Sequence, residues 1–188
     1  QVKQLVQMTG APCTTTLMGL GAFPGCDDQF VGMLGMHGTY EANMAMQHCD
    51  VLISVGARFD DRVIGNPRHF SQVPRKIIHI DIDPSSIAKR VKVDVPIVGC
   101  VKDVLTELND FYAQGKEATA AKKTALAKWW QQINEWRGVK SLSYEKSDTL
   151  IKPQSVVEAL WEVTGGNAFV TSDVGQHQMW AAQYYRFN

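Results

Sequence analysis

Two arginines and two aspartates follow a nearly all-apolar run in this chain, and that placement is where its chemistry starts. Asp50–Gly56 (DVLISVG) has the length and composition of a parallel strand covered on both faces. It stops at Gly56, and Ala57-Arg58-Phe59-Asp60-Asp61-Arg62 comes directly after. In open α/β sheets ligands bind in the crevice beyond the carboxyl ends of the strands, so these charges stand where a ligand would. A guanidinium grips oxyanions bidentately, which suits Arg58 and Arg62 to a diphosphate or an acid substrate. The alternative for Arg62, an exposed salt bridge to Asp60 or Asp61, would contribute little. Gly35-Met36-His37-Gly38 adds a second loop whose glycines permit close backbone approach to a bound group.

Two further segments carry chemistry. In His79–Asp83 (HIDID) the alternation puts Asp81 and Asp83 on one side at a strand's end. An acid there can accept hydrogen bonds from ribose hydroxyls. The competing reading is an Asp-Pro turn in which Asp83 caps a helix begun by Pro84-Ser85. We divide the roles: Asp81 toward a ligand, Asp83 toward the cap. Gly175-Gln176-His177-Gln178 reads either as an ordinary polar loop or as a phosphate cradle with Gln176 and His177 as donors. There is no intact G-x-G-x-x-G, no G-x-S-x-G and no plausible ligand pair among the five histidines. No metal site is expected within the chain.

The elements that must position these residues alternate. Gln1–Thr9 is amphipathic and helical in pattern, and Pro12–Met18 is a strand candidate rich in threonine. A Gly/Pro/Asp loop spans Gly19–Gly35, and Tyr40–His48 reads as a helix. Strands are expected at Val51–Val55, Lys76–Asp83 and Val95–Gly99, then a helix at Val101–Tyr112. The fold class is therefore α/β, a doubly wound parallel Rossmann-like sheet. Gly115–Thr124 turns Lys- and Ala-rich, leading to a helix Ala125–Arg137 that carries Trp129, Trp130, Ile133 and Trp136. Without a basic groove that stripe is better read as a linker helix packed on a neighbour than as a base-stacking platform. A fresh start follows: a helix opened by Pro153 and ended by Gly165-Gly166, a short strand Ala168–Thr171, and a loop Ser172–His177. The domain expectation is 1–114, a linker 115–149, and the start of a second α/β domain at 150–188.

Composition bounds the rest. With 188 residues, 45% hydrophobic and 20% charged, the chain can build one core but not two full-sized domains. Nineteen basic residues balance nineteen acidic ones, which gives no electrostatic reason for a nucleic-acid or membrane partner. No apolar run has the length of a membrane span and no signal-peptide pattern opens the sequence. Cys13, Cys26, Cys49 and Cys100 are widely spaced, as free thiols of a cytoplasmic protein would be. The sequence opens at Gln1 and closes at Arg186-Phe187-Asn188 without start or stop signals, and reads as part of a longer polypeptide.

The run LGMHGTYEANMAMQHCDVLISVGARFDDRV resembles the central domain of the acetohydroxyacid (acetolactate) synthase catalytic subunit. TTTLMG at Thr14–Gly19, HIDIDP at His79–Pro84 and VGQHQMW at Val174–Trp180 agree in order and spacing, so the resemblance spans essentially the whole chain. It implies a protein that joins two pyruvates, or pyruvate and 2-oxobutyrate, with loss of CO2, in branched-chain amino acid synthesis. Its cofactors would be thiamine diphosphate, Mg2+ and an FAD that does no net redox work. The resemblance carries FAD contacts onto Thr16, Leu17 and Met18, onto Gly35, Met36 and His37, and onto Gly56, Ala57, Arg58, Asp60, Arg62 and Val63. It adds Asp81, Ile82, Gly99 and Val101. Arg62 matches the position placed near the 2-oxoacid carboxylate, and Val174, Gly175, Gln176 and His177 match a thiamine-diphosphate loop. The metal-binding segment and the activating glutamate would lie outside this chain, leaving no catalytic residue in it and no activity of its own. Cys100 departs from the family pattern, which often has Asp there, and a thiol cannot replace a carboxylate acceptor. The parent would be at least a homodimer, with a possible regulatory small subunit. Sister enzymes such as glyoxylate carboligase or pyruvate oxidase, and a non-catalytic nucleotide-binding module, are the rival readings; GMHGTYEAN and ARFDDR favour the synthase.

Overall fold

The computed structural model describes residues 1–115 and 119–188, so that 116–118 of the expected linker lie outside the described residues. Its strands are β1 (Cys13–Thr15), β2 (Phe30–Met33), β3 (Val51–Val55), β4 (Lys76–Asp81) and β5 (Val95–Val98). Its helices are α1 (Val2–Thr9), α2 (Tyr40–His48), the short α3 (Asp61–Ile64) and α4 (Pro67–Phe70), α5 (Val101–Ala113), α6 (Ala120–Arg137), α7 (Pro153–Thr164) and α8 (Gln176–Tyr184). Every pairing is parallel, as expected, in two blocks: β1 with β2, and β3-β4-β5 in that order.

β4 packs its isoleucines against both layers of helices. Ile77 faces a cluster with Met46, Phe59, Ile64 and Phe70, while Ile80 faces Leu5 of α1 and Leu105 of α5. Helices cover both faces, which favours apolar residues on both; His79 and Asp81 are the buried polar exceptions in β4. A third cluster joins Val31 of β2, Ala42 and Ala45 of α2, and Ile133 of α6. The tryptophan stripe is thus packing surface: Trp129, Trp130 and Trp136 lie against that cluster, and the Trp130 indole N–H donates to the Gly10 carbonyl at 2.8 Å.

Several boundaries differ from the sequence expectations. The first strand stops at Thr15, and Leu17–Gly19 turns into a 3-10 helix. β2 lies inside the stretch expected to be loop, because four residues containing a glycine give no alternation to read. Pro84-Ser85 begins a turn and no helix. Ala168–Thr171 is not a strand: it has no hydrogen-bonded neighbour among the described residues, and Phe169 is fully exposed. A strand exists only through its ladder, which the apolar run alone cannot supply. The Ser172–His177 loop ends early, at Gly175, where α8 begins.

Candidate functional site

The Gly35–Gly38 loop is held rigidly at three points. Asn43 of α2 accepts the Gly35 N–H at 2.8 Å through Oδ1 and donates back to the Gly35 carbonyl at 2.9 Å. Thr39 caps α2, accepting the Ala42 N–H, and its hydroxyl donates to the Val31 carbonyl at 2.7 Å. The Met36 N–H donates to the Arg62 carbonyl at 2.8 Å, which ties this loop to the one after β3. The approach is so close that a Cβ on Gly35 would stand 2.5 Å from the Arg62 carbonyl oxygen, at a backbone φ of 98°. A side chain there would push the two loops apart.

The loop after β3 owes its shape to Phe59. Its φ is 54°, a left-handed conformation costing a non-glycine residue about 1–2 kcal/mol. Burial of the ring offsets this: it packs 6.1 Å from the Phe70 ring and edge-on to the His79 ring at 5.2 Å. On either side of Phe59, the Arg58 guanidinium and the Asp60 carboxylate lie 3.9 Å apart, and both residues line the cavity. Arg62 makes neither of the salt bridges considered for it. Its guanidinium is exposed, and Nη1 lies 3.9 Å from the Met36 sulfur.

Between the two loops is a cavity of about 410 Å³, within the usual range for small-molecule sites. The 3-10 turn supplies Leu17 and Met18 with Thr16 before them, and the glycine loop supplies Met36 and His37. Gly56, Ala57, Arg58, Asp60, Arg62 and Val63 complete the wall from the loop after β3. Gly35 is not part of the wall; it lies buried behind it, bonded to Asn43. Asp81, Ile82, Gly99 and Val101 are not part of the cavity. They form a neighbouring rim along the ends of β4 and β5, where the Gly99 N–H donates to the Asp81 carbonyl at 3.0 Å. Gly56 joins cavity and rim, since a Cβ on it would come 4.0 Å from Val101.

At the rim the two aspartates make different bonds. Asp83 accepts the Ser85 N–H and hydroxyl, each at 2.9 Å, and the Ser86 hydroxyl at 3.3 Å. Those bonds hold its carboxyl below the ordinary range. It closes a turn where a helix was expected. Asp81 is buried; its Oδ1 accepts the Asp83 N–H at 2.9 Å.

Val174, Gly175, Gln176 and His177 lie apart from the rim, exposed at the start of α8. The same helix reaches the cavity one turn later, through Met179, and Gln183 donates to the His37 carbonyl at 2.9 Å. Sequence reasoning missed Met33, Leu34 and Met179, which line the cavity as scattered apolar side chains, and Asn43, whose only signal is an amide placed inside a helix. Cys13 and Cys49 are partly buried, and burial raises both thiols, Cys13 to about 12.

Residues 1–108 match the family model described as thiamine pyrophosphate enzyme, central domain. The chain belongs to that family. Across all 188 residues it is 50% identical to the acetolactate synthase large subunit of Haemophilus influenzae and 48% identical to the isozyme 3 large subunit of Escherichia coli K12. It is 46% identical to the acetolactate synthase of Mycobacterium bovis. The chain spans about a third of the length of these relatives: 32%, 32% and 30%.

Proposed function

We propose that this chain is the flavin-cradling part of a thiamine-diphosphate-dependent acetolactate synthase, a cytoplasmic enzyme of branched-chain amino acid synthesis. The observation that carries this reading is the bond from the Met36 N–H to the Arg62 carbonyl. It closes the GMHG and ARFDDR loops of the resemblance onto one cavity at the strand ends. The site fits an FAD in kind. The cationic side chains of Arg58 and Arg62 suit a diphosphate, the buried Asp81 suits a ribose hydroxyl, and Met18, Met36 and Val63 offer apolar surface to a flat ring. The FAD contacts proposed are those set out from the sequence, from Thr16 to Val101.

Thiamine diphosphate, when bound with Mg2+, supplies the carbon that takes up and releases the two-carbon unit. Val174, Gly175, Gln176 and His177 would adjoin its diphosphate, while the Mg2+ ligands belong to the longer protein. Arg62 orients the carboxylate of the incoming 2-oxoacid. The parent works as at least a dimer, and a regulatory small subunit is compatible with this reading.

Arg62→Ala in the full-length protein tests it. Arg62 is exposed, so stability should stay within about 1 kcal/mol of the parent. The apparent KM for the acceptor 2-oxoacid should rise, because a contact made equally in ground and transition states appears there. FAD content measured on the same preparations separates substrate binding from cofactor loss. Unchanged acceptor kinetics would remove Arg62 from the substrate site.

A further inference from the structure

The one fully buried histidine in the described residues stands behind this groove with no hydrogen-bond partner. His79 has no solvent exposure, and neither Nδ1 nor Nε2 is paired. A buried polar group left so costs about 1–3 kcal/mol, so an apolar residue would serve better here if packing were its only task. Its surroundings give it another. Along β4, Ile77, His79 and Asp81 point the same way, toward the loop after β3. Nε2 lies 3.9 Å from Asp81 Oδ2, the carboxylate oxygen that does not take the Asp83 N–H. The ring also meets Phe59, at 5.2 Å between ring centres. On β3, the register partner of His79 is Ser54, also buried, whose hydroxyl donates to the Ala57 carbonyl at 3.4 Å.

We infer that His79 is a positioning residue that sets one side of the ligand groove from behind, by holding Asp81 through Nε2. The inference rests on the flavin reading of the groove. A movement of under 1 Å brings Nε2–H to Oδ2 within hydrogen-bond range. With Oδ1 held by the Asp83 N–H, the carboxylate is then fixed in one orientation, and the remaining lone pairs of Oδ2 can accept a ribose hydroxyl. A carboxylate bonded by two donors is preorganised, so less side-chain freedom is lost when ligand binds.

The test is a double-mutant cycle in the full-length protein, read as the equilibrium Kd of the apoprotein for FAD by quenching of flavin fluorescence. His79→Leu removes the N–H at similar volume, His79→Gln keeps a donor, and Asp81→Asn removes the carboxylate. His79→Leu should weaken FAD binding by roughly tenfold and His79→Gln by less than threefold, as loss and retention of one hydrogen bond to a charged group imply. In the Asp81→Asn background, where the charge is gone and only a neutral amide oxygen is left to accept, His79→Leu should add less than threefold. If the leucine variant does not fold, His79→Phe, which keeps a ring against Phe59, takes its place in the cycle. Equal losses for leucine and glutamine, or effects that simply multiply with Asp81→Asn, would reduce His79 to packing and overturn the inference while leaving the groove reading intact. No FAD binding by the parent protein, or full binding by Asp81→Asn, would overturn the groove reading and the inference with it.

Discussion

Cys100 shows how one side chain can hold two roles that only the structure separates. In sequence it is a missing carboxylate beside a cofactor position. In the fold it is the N-cap of α5, with extended backbone (φ −64°, ψ 124°) and no side-chain bond to the helix. Aspartate at an N-cap accepts a first-turn N–H and complements the helix dipole. Cys100→Asp should therefore stabilise the protein by about 1 kcal/mol even without ligand, measured as a shift in denaturant midpoint. If a flavin contact is also restored, FAD affinity in the full-length protein should tighten by up to about 1–2 kcal/mol. A midpoint that moves while the Kd stays put would assign the position to the helix alone. Other residues were legible to different depths. Arg58, Asp60 and Arg62 were legible as a charged loop at a strand's end, and all three line the cavity; the charges alone fit a solvated loop as well. The role of Phe59 was hidden, since nothing in its type announces a left-handed backbone or a buried ring.

At the scale of elements, long periodic segments were readable and short ones were not. α2, β3, β4 and α5 fall within a residue or two of their expected spans, because each repeats an apolar pattern over enough positions to define a face. α3 and α4 are single turns set by tertiary contacts, which local pattern does not record. Arg75 is the clearest of these contacts. Its guanidinium donates to the carbonyls of Met46 at 2.7 Å, Gln47 at 3.0 Å and Phe70 at 2.9 Å, and lies 4.1 Å over the Phe70 ring. It therefore ties the end of α2 to the end of α4. Arg75→Met removes the guanidinium from three carbonyls, of which Met46's keeps only the weak Cys49 thiol donor, and should cost about 2–4 kcal/mol in equilibrium unfolding. Arg75→Lys should recover less than half of that, because an ammonium lacks the planar fork that reaches three acceptors. Full rescue by lysine would show that charge near the end of α2, and not fork geometry, holds the two elements. The α6–α2 contact offers an independent check. Ile133 is fully buried there, so Ile133→Ala should destabilise by about 2–5 kcal/mol, with the tryptophan fluorescence of the unfolded chain appearing at lower denaturant.

Over the whole molecule, the parallel α/β class was legible because helices and apolar runs alternate, whereas the division of the ladder into two blocks was not. Neither β1 nor β3 has a second hydrogen-bonded neighbour among the described residues, so each presents an unpaired edge. The second half of the chain adds apolar surface in quantity: Val163 is 87% exposed, Phe169 104% and Val174 83%. Exposed apolar side chains and unpaired parallel edges both favour association. The 188 residues expressed by themselves should therefore self-associate and bind a hydrophobic dye, in sedimentation and dye-fluorescence measurements at micromolar concentration. They should also hold little or no flavin and form no acetolactate with added thiamine diphosphate, Mg2+ and FAD. The relatives that carry the synthase name are about three times as long, and this segment places its thiamine candidates at a single exposed helix start. The full-length protein should reverse each of these properties: lower dye binding, a defined oligomer, bound FAD and activity. A monomeric, dye-silent segment that binds stoichiometric FAD would mean that the groove between the glycine loop and Arg62 is complete within these residues. It would also return the non-catalytic nucleotide-binding module to the front as the better account of the chain.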